Sequence, residues 1–199
     1  MSDGSPISDE PDAAIPPSRV PQRPPPRRAP SLVLVNTGDG KGKSTAAFGV
    51  VMRAVARGWR VCVIQFIKSG RWKTGEEKVA RHLGVDWNPM GDGFSWDSRD
   101  LDASRALARA AWAAAGAAIS SGTYRLVVLD EITYPMNWGW ISSDEVIGAI
   151  RSRPPAVNVI ATGRDAPKAL VEVADTVTEM HKVRHAYDRG ILARRGIDF

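Results

Sequence analysis

One short stretch of the chain has the residue types and spacing that bind a polyphosphate. Residues 37–44 read Thr-Gly-Asp-Gly-Lys-Gly-Lys-Ser. This nearly matches the phosphate-loop pattern Gly-x4-Gly-Lys-Ser/Thr, with Thr37 in place of the first glycine. Closely spaced glycines let successive backbone N–H groups point at one anion, Lys43 adds a mobile cation, and the Ser44 hydroxyl suits Mg²⁺. The alternative is a chance glycine-rich turn.

A pair of carboxylates provides a second possible metal ligand. Asp130 and Glu131 follow the apolar run Leu-Val-Val-Leu at 126–129. Mg²⁺ prefers hard oxygen ligands, and a carboxylate at the end of a buried strand could face the Ser44 hydroxyl across the phosphates. A purely structural pair is the weaker interpretation, because buried carboxylates without partners are costly. Arg164, in Thr-Gly-Arg-Asp at 162–165, is a further cation at a predicted strand end.

Two aromatic segments have no function that composition alone assigns. Phe94 and Trp96 lie in a glycine-flexed loop, where they could stack against a flat ligand or anchor the loop in the core. Residues 134–140 alternate apolar side chains, beginning at Tyr134, which suits a ligand platform or a subunit interface. The loop 68–74 offers cations and a tryptophan, or is simply solvated.

Composition limits the class of protein. The 199-residue chain is 43% hydrophobic, enough for one substantial core, and carries a net charge of +5. The charge is not concentrated in a basic helix or stripe, so we expect a small anionic ligand rather than nucleic acid. A single cysteine and the lack of a secretion signal or membrane-length apolar run favour a soluble cytoplasmic protein. The three histidines are too scattered for a zinc site.

The residues that carry this chemistry must be positioned by alternating strands and helices. Residues 1–30 hold nine of the 14 prolines and are expected to be a disordered tail, and 31–199 a single domain. Strands are predicted at 32–36, 60–67, 84–88, 125–130, 156–161 and 175–180. Helices are predicted at 43–57, 74–83, 101–119 and after Ser142, where Ser142 and Glu145 form a capping box. This alternation predicts an α/β fold with a mostly parallel six-stranded sheet, in which ligands bind beyond the carboxyl ends of the strands.

Several motifs together resemble one family. The resemblance rests on residues 37–49, Gly-Phe-Ser-Trp-Asp at 93–97, Val-Val-Leu-Asp-Glu-Ile-Thr-Tyr at 127–134, Thr-Gly-Arg at 162–164, and His-Ala-Tyr-Asp with Gly-Ile-Asp-Phe within 185–199. In this order they resemble the P-loop corrinoid adenosyltransferases, which have a RecA-like P-loop NTPase architecture. The threonine at position 37 is itself typical of that family, whereas Asp39 and Ser44 stand where asparagine and threonine are often found.

The resemblance implies a reaction and a set of site residues. Members of the family transfer the 5′-deoxyadenosyl group of ATP to the Co(I) of cob(I)alamin or cob(I)yrinic acid a,c-diamide and release triphosphate. ATP is held in the reverse of the usual P-loop sense, so that C5′ faces the corrin. Because Co(I) is itself a strong nucleophile, the reaction needs no protein base. The protein must instead position the two substrates and stabilise the leaving group. The implied ATP ligands are Thr37, Gly38, Asp39, Gly40, Lys41, Gly42, Lys43, Ser44, Thr45, Tyr134 and Arg164. The implied metal ligands are Ser44, Asp130 and Glu131.

The same resemblance assigns the aromatic loop and the partners. Phe94 and Trp96 would occupy the lower face of the cobalt and favour a four-coordinate Co(II) that a reduced flavoprotein can reduce, which makes them catalytic together with Lys43. A homodimer is implied. The alternative function is a generic P-loop phosphotransferase or NTPase module with a regulatory role, which would release ADP and phosphate or a phosphorylated acceptor. The sequence does not choose between complete cobalamin and its precursor as acceptor.

Overall fold

A computed structural model describes residues 25–69, 74–93 and 101–198. Several predictions of the sequence lie outside these residues. They are the structure of the tail up to residue 24, Arg71, Trp72 and Lys73 of the cationic loop, and the aromatic pair Phe94 and Trp96.

Six strands form one sheet in which every pairing is parallel, as the alternation of elements predicts. The strands are β1 (Val33–Thr37), β2 (Val61–Gln65), β3 (Asp86–Pro89), β4 (Leu126–Asp130), β5 (Asn158–Thr162) and β6 (Thr176–Glu179). Their spatial order is β3-β2-β4-β5-β1-β6. Each predicted strand is found, with its ends shifted by at most two residues.

Helices cover both faces of the sheet. They are α1 (Lys43–Ala56), α2 (Gly75–His82), α3 (Leu101–Ser120), α4 (Thr133–Asn137), α5 (Ser143–Arg151) and α6 (Lys168–Val173), followed by a short 3₁₀ turn at Tyr187–Arg189. The predicted capping box at the start of α5 is confirmed: the Ser142 hydroxyl accepts from the Asp144 N–H at 3.2 Å, and the Glu145 carboxylate accepts from the Ser142 N–H at 3.1 Å.

Alternation along the central strands divides the core into two layers. Val61 and Val63 of β2 pack with Phe48 and Val51 of α1, whereas their neighbour Ile64 packs with the α3 and α5 side. All five residues of β2 and of β4 are buried. Burial on both faces explains why these strands read as continuous apolar runs rather than as alternating ones.

The carboxyl ends of four adjacent strands meet at one edge of the sheet. Reading across the sheet, the last residues of β2, β4, β5 and β1 are Gln65, Asp130, Thr162 and Thr37. The register pairs Gln65 with Asp130 and Asn36 with Thr162. Polar side chains at these four positions therefore share one small region, which the helix α1 approaches with its amino end.

Candidate functional site

The phosphate loop connects β1 to α1 and is held at both ends by side chains. The Thr37 hydroxyl accepts a hydrogen bond from the Ala166 N–H at 3.1 Å, and the Asn36 amide donates to the Lys43 carbonyl at 3.1 Å. Thr37 therefore ties the loop to the segment that follows β5. A glycine at position 37, as the strict phosphate-loop pattern has, could not form this bond.

The amino end of α1 is left open for an anion. Gly42 is the N-cap residue and forms no side-chain cap on the helix. The first N–H groups of a helix have no partner within it, and with the helix dipole they act as roughly half a positive charge at this point. The first turn contains no acidic residue that would compete for it. The start of α1 can therefore accept an anion, and binding of phosphate by the whole loop stays a prediction.

Lys43 points back over the loop. Its ammonium donates to the Gly40 carbonyl at 2.6 Å. Burial lowers the pKa of Lys43, and the nearby Arg164 guanidinium lowers it further. A bound polyphosphate would reverse both effects, because an adjacent anion favours the charged form of lysine. An anionic ligand bound beside this ammonium would therefore stabilise its charged form.

Ser44 and Asp130 meet directly, as the sequence predicts for a metal site. The Ser44 hydroxyl donates to Asp130 Oδ1 at 2.7 Å, and the Thr162 hydroxyl donates to the same oxygen at 2.8 Å. The Asp130 side chain is fully buried. A buried carboxylate that accepts several hydrogen bonds is held in one orientation. The Asp130 carboxylate and the Ser44 hydroxyl together present two oxygen ligands of the kind that a hard cation prefers.

Glu131 follows in a left-handed backbone conformation, with a φ of 65°. Its N–H donates to the Thr162 hydroxyl at 2.9 Å, which stabilises this sparsely populated conformation. Burial, together with the Asp130 carboxylate, raises the pKa of Glu131 to about 7. Lys68, Lys43 and Arg164 oppose that shift. The site therefore carries one carboxylate that titrates near neutral pH.

The segment after β5 packs closely against the start of α4. A Cβ placed on Gly163 would lie 2.0 Å from the Thr133 hydroxyl oxygen, and Gly163 has a φ of 142°, so only glycine fits. This contact brings Arg164 to the rim of the site, where its side chain is exposed. Arg164 is close enough to affect the pKa of both Lys43 and Glu131, as its predicted role requires.

The residues 134–140 form the short helix α4 and its exit turn. Tyr134 and Trp138 have ring centroids 5.7 Å apart, and Trp138 and Trp140 are 4.7 Å apart. Met136 is buried in the core, whereas Trp138 remains 36% exposed. Three of the four apolar side chains therefore form a cluster of rings, of which Trp140 also packs against the core, and the fourth, Met136, lies within the core.

The C-terminal segment crosses the phosphate loop. The Gly40 N–H donates to the Met180 carbonyl at 2.6 Å, and the Lys182 N–H donates to Asp39 Oδ1 at 3.1 Å. Lys41 also forms an ion pair with Asp198. A Cβ on Gly40 would lie 2.7 Å from the Met180 carbonyl oxygen, so glycine here permits close approach of another backbone.

Sequence reasoning missed several residues of the site. Gln65, at the end of β2, donates from Nε2 to Asp130 Oδ2 at 2.9 Å. Lys68, which the sequence did identify as a cation of the loop 68–74, has its Nζ 3.8 Å from the same oxygen. Thr162 and Asp198 also contact site residues. Their position in the sequence could have identified two of the missed residues. Gln65 and Thr162 are the last residues of β2 and β5, and the neighbouring strand β4 carries the predicted ligand Asp130.

The donor set fits Mg²⁺ rather than a metal held entirely by protein. The described part of the chain contains no group of three or more His, Cys, Asp or Glu residues that could hold a metal. Mg²⁺ commonly keeps water and takes one or two protein oxygens together with substrate phosphates. Ser44, Asp130 and Glu131 offer such oxygens beside the open end of α1.

Comparison with known proteins decides the family. The family described as ATP:corrinoid adenosyltransferase BtuR/CobO/CobP matches residues 29–199. The chain belongs to this family. It is 43% identical over 170 residues to the corrinoid adenosyltransferase of Pseudomonas aeruginosa, covering 84% of this chain and 83% of that protein. It is 40% identical over 168 residues to the corrinoid adenosyltransferases of Escherichia coli K12 and Salmonella typhimurium, covering 84% of this chain and 85% of each relative.

The P-loop architecture of the chain is that of the family, and the match covers all of the predicted domain, residues 31–199. The matched region contains the phosphate loop, the carboxylate pair and the C-terminal segment that lies on the loop. Among the helices of the described residues, none has the length and apolar character that crossing a bilayer requires.

Proposed function

We propose that this enzyme transfers the 5′-deoxyadenosyl group of ATP to the Co(I) of a corrinoid, in the synthesis or salvage of adenosylcobalamin. Co(I) donates an electron pair to C5′, the Co–C bond forms, the C5′–O bond breaks, and that bond pair leaves on triphosphate. The convergence of Ser44 on Asp130, beside the uncapped start of α1, carries the proposal, because it supplies a polyphosphate site with adjacent oxygen ligands.

Stabilisation of the leaving triphosphate is the main task of the described residues. The open N–H groups at the start of α1 and the ammonium of Lys43 lie on one side of the loop. Lys41 adds a second cation, which is held by Asp198 in the structure. Preorganised donors of this kind favour the transition state because negative charge develops on the leaving group.

Mg²⁺, when bound, would neutralise charge on the phosphates. Ser44, Asp130 and Glu131 are the residues that would hold it, directly or through water. Thr45, Arg164 and Tyr134 are proposed to contact ATP from the helix and from the rim of the site.

Phe94 and Trp96 complete the proposal on the corrin side. Their role on the lower face of the cobalt comes from the family resemblance, since they lie outside the described residues. We further propose a homodimer, a reduced flavoprotein as electron donor for Co(II), and a cytoplasmic location.

One incubation tests the reaction. ATP, Mg²⁺ and chemically reduced corrinoid should yield triphosphate and a Co–C bond, seen by chromatography and by the corrinoid absorption spectrum. Appearance of ADP or a phosphorylated acceptor without an alkylated corrinoid would favour a phosphotransferase instead.

A second experiment isolates the aromatic loop. Phe94→Ala and Trp96→Ala should fail with Co(II) corrinoid and a flavin reductant, yet retain much of their rate when Co(I) is supplied. The same loss in both assays, with a lowered melting temperature, would return these residues to a packing role.

A further inference from the structure

A buried chain of hydrogen bonds leads from the edge of the sheet to the proposed metal site. The Trp87 indole N–H donates to Gln65 Oε1 at 2.9 Å, and Gln65 Nε2 donates to Asp130 Oδ2 at 2.9 Å. The exposed fractions of the three side chains are 3% for Trp87, 2% for Gln65 and 0% for Asp130. Three adjacent strands, β3, β2 and β4, contribute one residue each.

The chemistry of the three groups fixes the direction of this chain. The indole nitrogen of Trp87 can only donate, so Gln65 must turn its carbonyl oxygen toward β3. The amide nitrogen of Gln65 must then face β4, where it meets an acceptor oxygen of Asp130. The opposite orientation of the amide would place two donors together and leave two acceptors together in a buried region, where unpaired polar groups are costly.

The two oxygens of Asp130 therefore have separate tasks. Oδ2 is held by Gln65, with Lys68 Nζ 3.8 Å away. Oδ1 accepts from the hydroxyls of Ser44 and Thr162. Holding one oxygen from the β2 side prevents the carboxylate from rotating about its χ2 bond. The other oxygen then stays directed at Ser44 and the start of α1.

We propose that Gln65 and Trp87 are positioning residues for Asp130: Trp87 orients the Gln65 amide, and Gln65 orients the carboxylate toward the metal and phosphate site. The inference rests on the proposed role of Asp130 in holding Mg²⁺. Partners of metal-binding groups commonly change metal affinity by about ten- to 100-fold when they are removed.

Binding of Mn²⁺ to the full-length enzyme with ATP present, followed by electron paramagnetic resonance or calorimetry, tests this without turnover. Gln65→Met keeps the side-chain length and removes both hydrogen bonds, so the half-saturating Mn²⁺ concentration should rise roughly ten-fold. Trp87→Phe removes the N–H donor together with part of the buried ring, so it should raise the half-saturating Mn²⁺ concentration by a smaller factor than Gln65→Met and should also lower the melting temperature. The matched control is Val61→Ala, a truncation in the same core layer at the opposite end of β2 from Gln65; it should lower the melting temperature and leave Mn²⁺ binding unchanged.

A double variant tests the order of action. Because Trp87 acts through Gln65, Gln65→Met combined with Trp87→Phe should bind Mn²⁺ as Gln65→Met alone does. Corrinoid KM should stay at the wild-type value in all of these variants. Multiplied effects in the double variant, or the same Mn²⁺ affinity in Gln65→Met, Trp87→Phe and wild type, would overturn the inference.

Mn²⁺ binding by Ser44→Ala and Glu131→Gln tests the proposed metal site independently of the positioning role of Gln65 and Trp87. If Ser44→Ala and Glu131→Gln weaken Mn²⁺ binding and Gln65→Met does not, only the positioning role is wrong. If none of the variants changes Mn²⁺ binding, the proposed metal site is wrong and the positioning role falls with it.

Discussion

Glu131 allows a pH-dependent test of the electrostatics of the site. Its folded-state pKa is raised from 4.5 to about 7, with burial as the first cause. Between these two values the folded chain binds more protons at Glu131 than the unfolded chain does. The free energy of unfolding must therefore fall as the pH rises through this interval, and it stays lowered above it.

The size of this effect follows from the shift. Each unit of pKa corresponds to about 1.4 kcal/mol, so the shift corresponds to at most about 3.4 kcal/mol. Glu131 is only partly buried by exposed area, and we therefore expect about 2 kcal/mol after solvent screening. Glu131→Gln removes the charge but keeps the side-chain size and the left-handed backbone. The variant should be more stable than the wild type by about 2 kcal/mol at pH 8 and by only about 0.8 kcal/mol at pH 5.

Urea denaturation at both pH values, with chelator and without ATP, measures this difference. Glu172→Gln is the matched control: Glu172 is an exposed residue of α6 with only an i,i+4 contact to Lys168, and its substitution should change stability little at either pH. An equal stability difference at pH 5 and pH 8, or a less stable Glu131→Gln at pH 8, would refute the reasoning.

Three other predictions test separate parts of the structure. Lys43→Ala should reduce kcat/KM by about ten- to 150-fold, as loss of a charge-assisted contact does; wild-type turnover in a folded variant would exclude the phosphate-loop role. Gly40→Ala should weaken ATP binding and lower the melting temperature, because its Cβ would collide with the Met180 carbonyl; unchanged calorimetric ATP affinity would contradict this. Arg109→Ala breaks the bidentate pair between α3 and α5 on the surface and should change the free energy of unfolding little in urea denaturation; a large loss would contradict the expectation that an exposed ion pair contributes little.

The sequence predicted the parts of the fold that local pattern determines. β-branched runs identified the six strands, and Ser142 with Glu145 identified the start of α5. The meeting of Ser44 with Asp130 was predictable because both follow or end strands of one parallel sheet. The order of the strands was not predictable in this way, because it depends on which faces pack together over long sequence separations.

Other features required the tertiary structure. The position of Gln65 at a strand end places it near the site, but its role depends on Trp87 and Asp130 from two other strands and could not be read from the sequence. The spacing of the apolar residues from 134 to 140 did not reveal that a short helix buries one of them and groups the other three. The placement of Phe94 and Trp96 stays a prediction, since those residues lie outside the described part of the chain.

The contact between Gly40 and Met180 has a consequence for biosynthesis. The loop is made early by the ribosome, but Met180, whose backbone packs on Gly40, is made about 140 residues later, directly after β6. A nascent chain can therefore form the central strands and α1 while the loop still lacks its cover. Nucleotide binding should be acquired late, when the C-terminal segment closes over the loop. Premature termination within the last strand would then give a largely folded chain with an exposed phosphate loop and no competent site.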